Sequence, residues 1–153
     1  MKKIIFLFLL LNYCPLFSQN DGEEQAIRAT IAQLFDGMRA GDSTLVRAVF
    51  DPAARLQSAF YDKEGNSILR TGSIDRFVEA IDTPHDDVWD EKIWSLEVRI
   101  DGPLATAWTE YTFFLGQKMS HCGVNAFHLF KSRDGWKITQ ITDTRRKENC
   151  QED

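Results

Sequence analysis

The second half of the chain holds four extended runs in succession, each separated from the next by residues that turn a chain back on itself. "VWDEKIWSLEVRI" leads through "DGP" into "LATAWTEYTFFL"; "GQKM" then precedes "SHCGVNAFHLF", and "SRDG" precedes "WKITQITDTRR". Trp94, Leu96, Val98 and Ile100 alternate with other residues at the period of a strand that buries one face. Strands joined in this way pair with their neighbours, so the reading is a long antiparallel meander. Its apolar face needs a cover, and the first half of the chain supplies one.

There, Asp21-Gly-Glu-Glu24 reads as a capping box opening a helix, with acids at the positive end of the helix dipole. Ile27, Ile31, Leu34, Phe35 and Met38 follow at helical spacing, and Arg39-Ala-Gly41 closes the helix with a left-handed glycine cap. Asp42 caps a shorter helix with Leu45, Val46, Val49 and Phe50 turned inward, and Pro52 ends it. From Ala54 the period changes: "RLQSAFYD" and "SILRTG" flank the turn-rich "KEGN" as a short hairpin. Ser73 caps a third helix whose inward face is Ile74, Phe77, Val78 and Ile81, and "DTPHDD" follows as a loop. Helices gathered in the N-terminal half against one face of an antiparallel sheet make an α+β fold.

The N-terminus reads as a secretory signal peptide over residues 1–18. Lys2 and Lys3 precede an apolar run, Ile4 to Leu11, which is too short to span a bilayer, and Ser18 offers a small residue for cleavage. A lipid anchor on Cys14 is the competing reading, and Asn12 and Tyr13 disfavour it. Cleavage near Ser18 or Gln19 gives an exported protein, periplasmic or secreted, with no membrane attachment. It consists of a domain over 21–146 and a C-terminal tail over 147–153. Removing Lys2 and Lys3 takes the formal charge from −5 to −7, with 16 basic against 23 acidic residues. Such a chain lacks the cationic surplus that binds phosphate backbones, so nucleic acid is not the expected partner.

Export also decides how the cysteines read. Without Cys14 the chain keeps Cys122 and Cys150, an even pair in an oxidising compartment, and they are expected to form a disulfide. The last two strands make a hairpin around "SRDG", and "RKEN" is long enough for the tail to turn back and bring Cys150 to Cys122. His121 and Cys122 are adjacent on a strand and point to opposite faces, so they cannot share one metal ion or act as a cysteine-histidine pair. No metal site is therefore expected there. In "DTPHDDVWDE", His85 with Asp86, Asp87 and Asp90 makes at most a weak cation site, and a solvated loop is the plainer reading.

The remaining polar residues of the meander suggest a pocket wall. If "SRDG" closes a tight two-residue turn, His121, Gly123, Asn125 and Phe127 share a face with Gln140, Thr142, Thr144 and Arg146. Cys122, Val124, Ala126 and His128 then share the other with Ile141, Asp143 and Arg145. A bulge would change this alignment. On the preceding strand Trp108 and Glu110 share one face and Tyr111 lies on the other. A carboxylate at Glu110 calls for a partner, Arg99 or Lys92, or else serves as a general base.

The order of elements, with "MRAGD" after the first helix and "DGPLATAWTEYTF" and "DGWKI" late in the chain, resembles the nuclear transport factor 2-like superfamily. "HCGVNAFHLFKSRDGWKITQITDTRR" is similar to the C-terminal half of its exported SnoaL-like, putative lumazine-binding members, and the resemblance runs from Glu23 to Arg146. It implies a cone-shaped curved sheet packed on three helices, a cavity inside the cone and a homodimer formed through the outer sheet face. It also implies a small organic ligand and no cofactor. The polar cluster late in the meander and the aromatic bulk beside it make Trp108, as an apolar wall, and Tyr111, His121, Asn125, Asp143 and Arg145 the candidate contacts. Some members of the superfamily are isomerases, cyclases or dehydratases. That reading makes Asp143 or Glu110 the base and Tyr111, His121 or Arg145 the donors, although the catalytic aspartates of those enzymes have no match in this chain. A third reading is an interaction module that uses the convex face of the sheet.

Mass spectrometry of the protein recovered from its producing cells is expected to find an N-terminus near Gln19 or Asn20. An acylated Cys14 at that terminus would establish a lipoprotein instead.

Overall fold

The computed structural model describes residues 17–151, so the expected signal peptide lies outside the described residues except for Phe17 and Ser18. The elements run α1 (Phe17–Ala40), α2 (Ser43–Ala48), β1 (Phe50–Tyr61), β2 (Ser67–Gly72), α3 (Ile74–Asp82), β3 (Trp89–Asp101), β4 (Leu104–Leu115), β5 (Lys118–Ser132) and β6 (Gly135–Thr144). One six-stranded sheet has the order β2-β1-β6-β5-β4-β3. Among the described residues no helix is long and apolar enough to cross a membrane.

Helix α1 buries the five residues its spacing singled out, Ile27, Ile31, Leu34, Phe35 and Met38. They lie in one core with Ala105, Ala107, Phe127, Leu129, Trp136 and Ile138 of the sheet. Phe35 meets Phe127 edge to face at 6.3 Å. The helix starts earlier than the capping box implies, so Asp21 lies inside it. The acids of that box are engaged elsewhere: Glu24 pairs with Arg28 at 2.7 Å, and Glu23 accepts from the indole N–H of Trp136 at 2.8 Å. Gly41, with φ of 65°, ends the helix, and Asp42 N–H donates to the carbonyl of Gly37. Asp42 and Ser73 cap α2 and α3 through their side chains. On α2, Leu45 turns outward while Val46 is buried.

The meander forms as expected, but the sheet is mixed. α3 carries the chain from the edge strand β2 to the opposite edge at β3, and the meander then brings β6 back alongside β1 in the same direction. Pro52 does not end α2, which stops at Ala48; it lies in β1, where the pairing with β6 is interrupted between Phe50 and Arg55. A proline has no ladder donor to offer, which suits it to such a gap.

Bulges bend the sheet. At Ser95, with φ of 35°, an extra residue enters β3 between Trp94 and Glu97. Trp94 therefore faces outward, away from Leu96, Val98 and Ile100, and its indole N–H donates to Thr112 Oγ1 at 3.2 Å. A second shift, between His128 and Leu129, leaves Thr139 as the extra residue of β6. It sets Asn125 opposite Asp143 and Phe127 opposite Ile141, so the unbulged alignment is off by one residue.

Beyond β6 the chain folds back over the outer face. Arg146 exchanges both backbone hydrogen bonds with Cys122, and Thr112 Oγ1 donates to the carbonyl of Gln151 at 2.6 Å. Cys122 and Cys150 are joined by a disulfide with a Cα separation of 5.5 Å. The bridge closes a loop with a sequence separation of 28 residues. In the chain-entropy account such a link stabilises the fold by about 3.5 kcal/mol. Chemical denaturation of Cys150→Ser, or of the reduced protein, is expected to show a loss of about that size. An unchanged unfolding midpoint would mean the tail adds nothing to stability.

Candidate functional site

A cavity of about 680 Å³ opens between the concave face of the sheet and the helices. Leu34, Phe35 and Met38 of α1 and Phe77 of α3 form its apolar side, with Leu56, Phe127 and Ile141 contributed by the sheet. Its size falls within the usual range for sites that hold small organic molecules.

The polar groups form a row across the strands. Arg70 stands opposite Ser58, Ser58 beside Asp143, Asp143 opposite Asn125, and Asn125 opposite Thr109. The Thr139 bulge completes the row, since it turns Asp143 and Arg145 onto the face of His121 and Asn125. Asp143, only 9% exposed, is the hub. It accepts from Ser58 Oγ, from Arg145 Nε at 2.7 Å and from Tyr111 OH at 3.3 Å. Tyr111 OH also donates to the carbonyl of Thr144 at 2.9 Å. On the next rung Phe113 stands between Glu91 and His121. Asn125 Nδ2 donates to Glu91 Oε1 at 2.7 Å, which ties β5 to β3 over β4.

These surroundings shift the ionisations. Burial pushes the Glu91 carboxyl up to about 7; the Asn125 hydrogen bond opposes this and the charge of Asp143 adds to it. Burial, then Asp143 and Glu91, push the Tyr111 phenol well above its ordinary value, so it remains a donor. Burial lowers His121, and the positive charge of Arg145 lowers it further. Its ring contacts Phe113 at 5.2 Å and Tyr111 at 5.8 Å, and Ser120 Oγ lies 3.1 Å from Nδ1. Burial works against the charge of Arg145, but the carboxylate of Asp143 outweighs it and the guanidinium is held above its ordinary value.

Of the residues named from sequence, Tyr111, His121, Asn125, Asp143 and Arg145 line the cavity. Trp108 and Glu110 do not. Strand alternation puts both on the outer face, where Trp108 is 54% exposed. The register sets Thr112 opposite Lys92 and Thr106 opposite Arg99, so neither cation stands directly across from Glu110. Outside the cavity, Glu110 cannot be a base for anything held within it. In the His85 loop, His85 stacks on Trp89 at 4.2 Å, and Asp90 pairs with Arg39 at 2.8 Å. No cluster suited to a metal ion occurs among the described residues.

The domain model described as "Putative lumazine-binding" matches residues 22–142. The chain belongs to that family. No curated protein matches it. Solved structures share its fold at low identity. An NTF2-like protein with a cystatin-like fold from Novosphingobium aromaticivorans is 14% identical, with a TM-score of 0.71 over 92% of this chain and 94% of that one. A putative scytalone dehydratase from the same organism is 13% identical, with a TM-score of 0.67 over 86% and 89%. An NTF2-like protein of unknown function from Shewanella baltica is 20% identical, with a TM-score of 0.65 over 84% and 97%.

Within this family domain sequence reasoning passed over Glu91, along with Ser58, Arg70 and Arg76, which also line the cavity. For Glu91 the signal was present: Trp89, Glu91 and Ile93 lie at period two, so a carboxylate shares a face with two residues that pack on the core. Glu91 also makes stability depend on pH. Between its ordinary value of 4.5 and the folded value of about 7, the folded state keeps a proton that the unfolded chain has released. This contribution is fully present below 4.5 and fades as pH rises through about 7. The loss amounts to about 3 kcal/mol. Denaturation of wild type and Glu91→Gln at pH 5, 6 and 8 is expected to show this slope in the wild type alone. The same slope in both proteins would place its origin elsewhere.

Proposed function

We propose that this domain is exported and binds a small organic molecule in the cavity of its cone. The observation that carries the reading is the layout of the cavity, with aromatic and aliphatic walls on one side and a few converging polar groups on the other. The description of the matched family, a ligand-binding one, is in keeping with it. The Lys2-Lys3 start and the apolar run behind it support export. We further propose a homodimer through the outer sheet face, where Leu104, Trp108 and Phe130 are exposed together on neighbouring strands.

A second reading, an enzyme that transfers protons without a cofactor, is favoured by Glu91. A carboxyl that titrates at about 7 can give or take a proton near neutrality, and Tyr111 and His121 line the same cavity as possible donors to developing negative charge. This moves the base from Glu110 or Asp143 to Glu91. Asp143 is committed to Ser58, Tyr111 and Arg145. Dehydration, named for one protein of this fold, is the reaction class to assay first.

Thermal-shift screening of the purified protein against ring-bearing small molecules tests the binding reading. A true ligand raises the midpoint of wild type and of Trp108→Ala, on the outer face, but not of Ile141→Trp, which fills the cavity. A ligand that stabilises Ile141→Trp equally is bound elsewhere, and the cavity reading fails.

A further inference from the structure

The charges around the cavity are sorted by depth. Its carboxylates are Glu91 and Asp143, of which Asp143 is buried and Glu91 is enclosed enough for burial to dominate its ionisation. Its guanidiniums are Arg70, Arg76 and Arg145, which reach it from its exposed margin. Arg145 is matched by Asp143. Arg70 and Arg76 form no ion pair among the described residues, although the chain carries 23 acids against 18 bases.

These two come from different elements, Arg70 from β2 and Arg76 from α3, on either side of the Gly72-Ser73 link that also lines the cavity. Arg70 lies over the ring of Phe60, 5.0 Å from its centroid, which leaves its planar edge for hydrogen bonding. Two unmatched guanidinium forks beside an apolar cavity are the donor set that a planar oxyanion takes up. Deeper in the cavity the carboxylate of Asp143, already taking hydrogen bonds from Ser58, Tyr111 and Arg145, offers an anionic group no free donor, so the arrangement also sets direction.

We propose that the ligand is a ring-bearing carboxylate, its ring against Phe77 and Phe127 and its carboxylate at the mouth between Arg70 and Arg76. This rests on the cavity being the ligand site, as proposed above. The end of the molecule opposite its carboxylate then faces Asn125 and Glu91, where a hydroxyl or N–H finds an acceptor.

The test uses a matched pair of probes, 2-naphthoate and its neutral isostere 2-naphthamide, titrated calorimetrically into the full exported protein. Naphthoate is expected to bind about tenfold tighter at low salt, as one charge-assisted contact would give. The advantage should shrink as salt is added. Arg70→Gln and Arg76→Gln, each checked for folding by circular dichroism, should each lose most of it. Arg99→Gln, on the outer face of β3, should keep it. Equal affinity for the two probes, or an advantage that survives in both cavity variants, overturns the anion assignment and leaves the cavity reading standing. Binding of neither probe overturns this proposal together with the ring-bearing ligand of the preceding section.

Discussion

The packing of α1 on only part of a curved sheet is the constraint on which everything else depends. Ile27, Ile31, Leu34 and Phe35 share one core with Ala105, Ala107, Phe127, Leu129 and Ile138, and the helix backbone comes nearest the sheet at β3. A flat sheet would leave no hollow beside that contact. The irregularities at Ser95, at Thr139 and between Phe113 and Phe114 bend the strands, and the concave face continues beyond the reach of the helix. What remains uncovered is the cavity. It is lined by helix residues on one side and polar strand residues on the other.

Placing polar side chains there requires that they satisfy one another, since an unpaired buried group costs free energy. Asp143 does most of this, taking hydrogen bonds from Ser58 on β1, Tyr111 on β4 and Arg145 just beyond the end of β6. Gly123 makes it possible. A Cβ at that position would lie 1.8 Å from the carbonyl oxygen of Thr144 and 2.9 Å from the Tyr111 ring, so no side chain fits. The bare backbone lets β6 cross close enough for Tyr111 to reach that carbonyl. Among the described residues no buried side-chain nitrogen or oxygen lacks a partner. Asn125 and Glu91 form the second connection, and it carries the tension: the amide hydrogen bond favours the ionised carboxylate while burial favours the neutral acid. Burial dominates, which leaves a proton on Glu91 near neutral pH.

Periodicity made much of the fold legible. The inward face of α1, the caps at Asp42 and Ser73, the hairpin and the meander all follow from spacing and turn chemistry, because these signals are local. Bulges were not legible. One extra residue at Thr139 exchanges the faces of Asp143 and Arg145, and one at Ser95 turns Trp94 outward, with no residue type marking either place. Trp108 failed as a pocket wall for a related reason. Its bulk argued for burial, but nothing local says which face of β4 the helices will cover.

The sequence by itself determined the elements, the α+β class and the partnership of Cys122 with Cys150, since each follows from residue type and distance along the chain. The tertiary structure alone decided which polar residues meet. Arg70, Ser58, Asp143 and Asn125 come from four strands, two of them separated by the whole meander. Their alignment depends on strand register, and register depends on how the helices, the bulges and the sheet close together, a balance of many contacts that no single stretch of residues encodes.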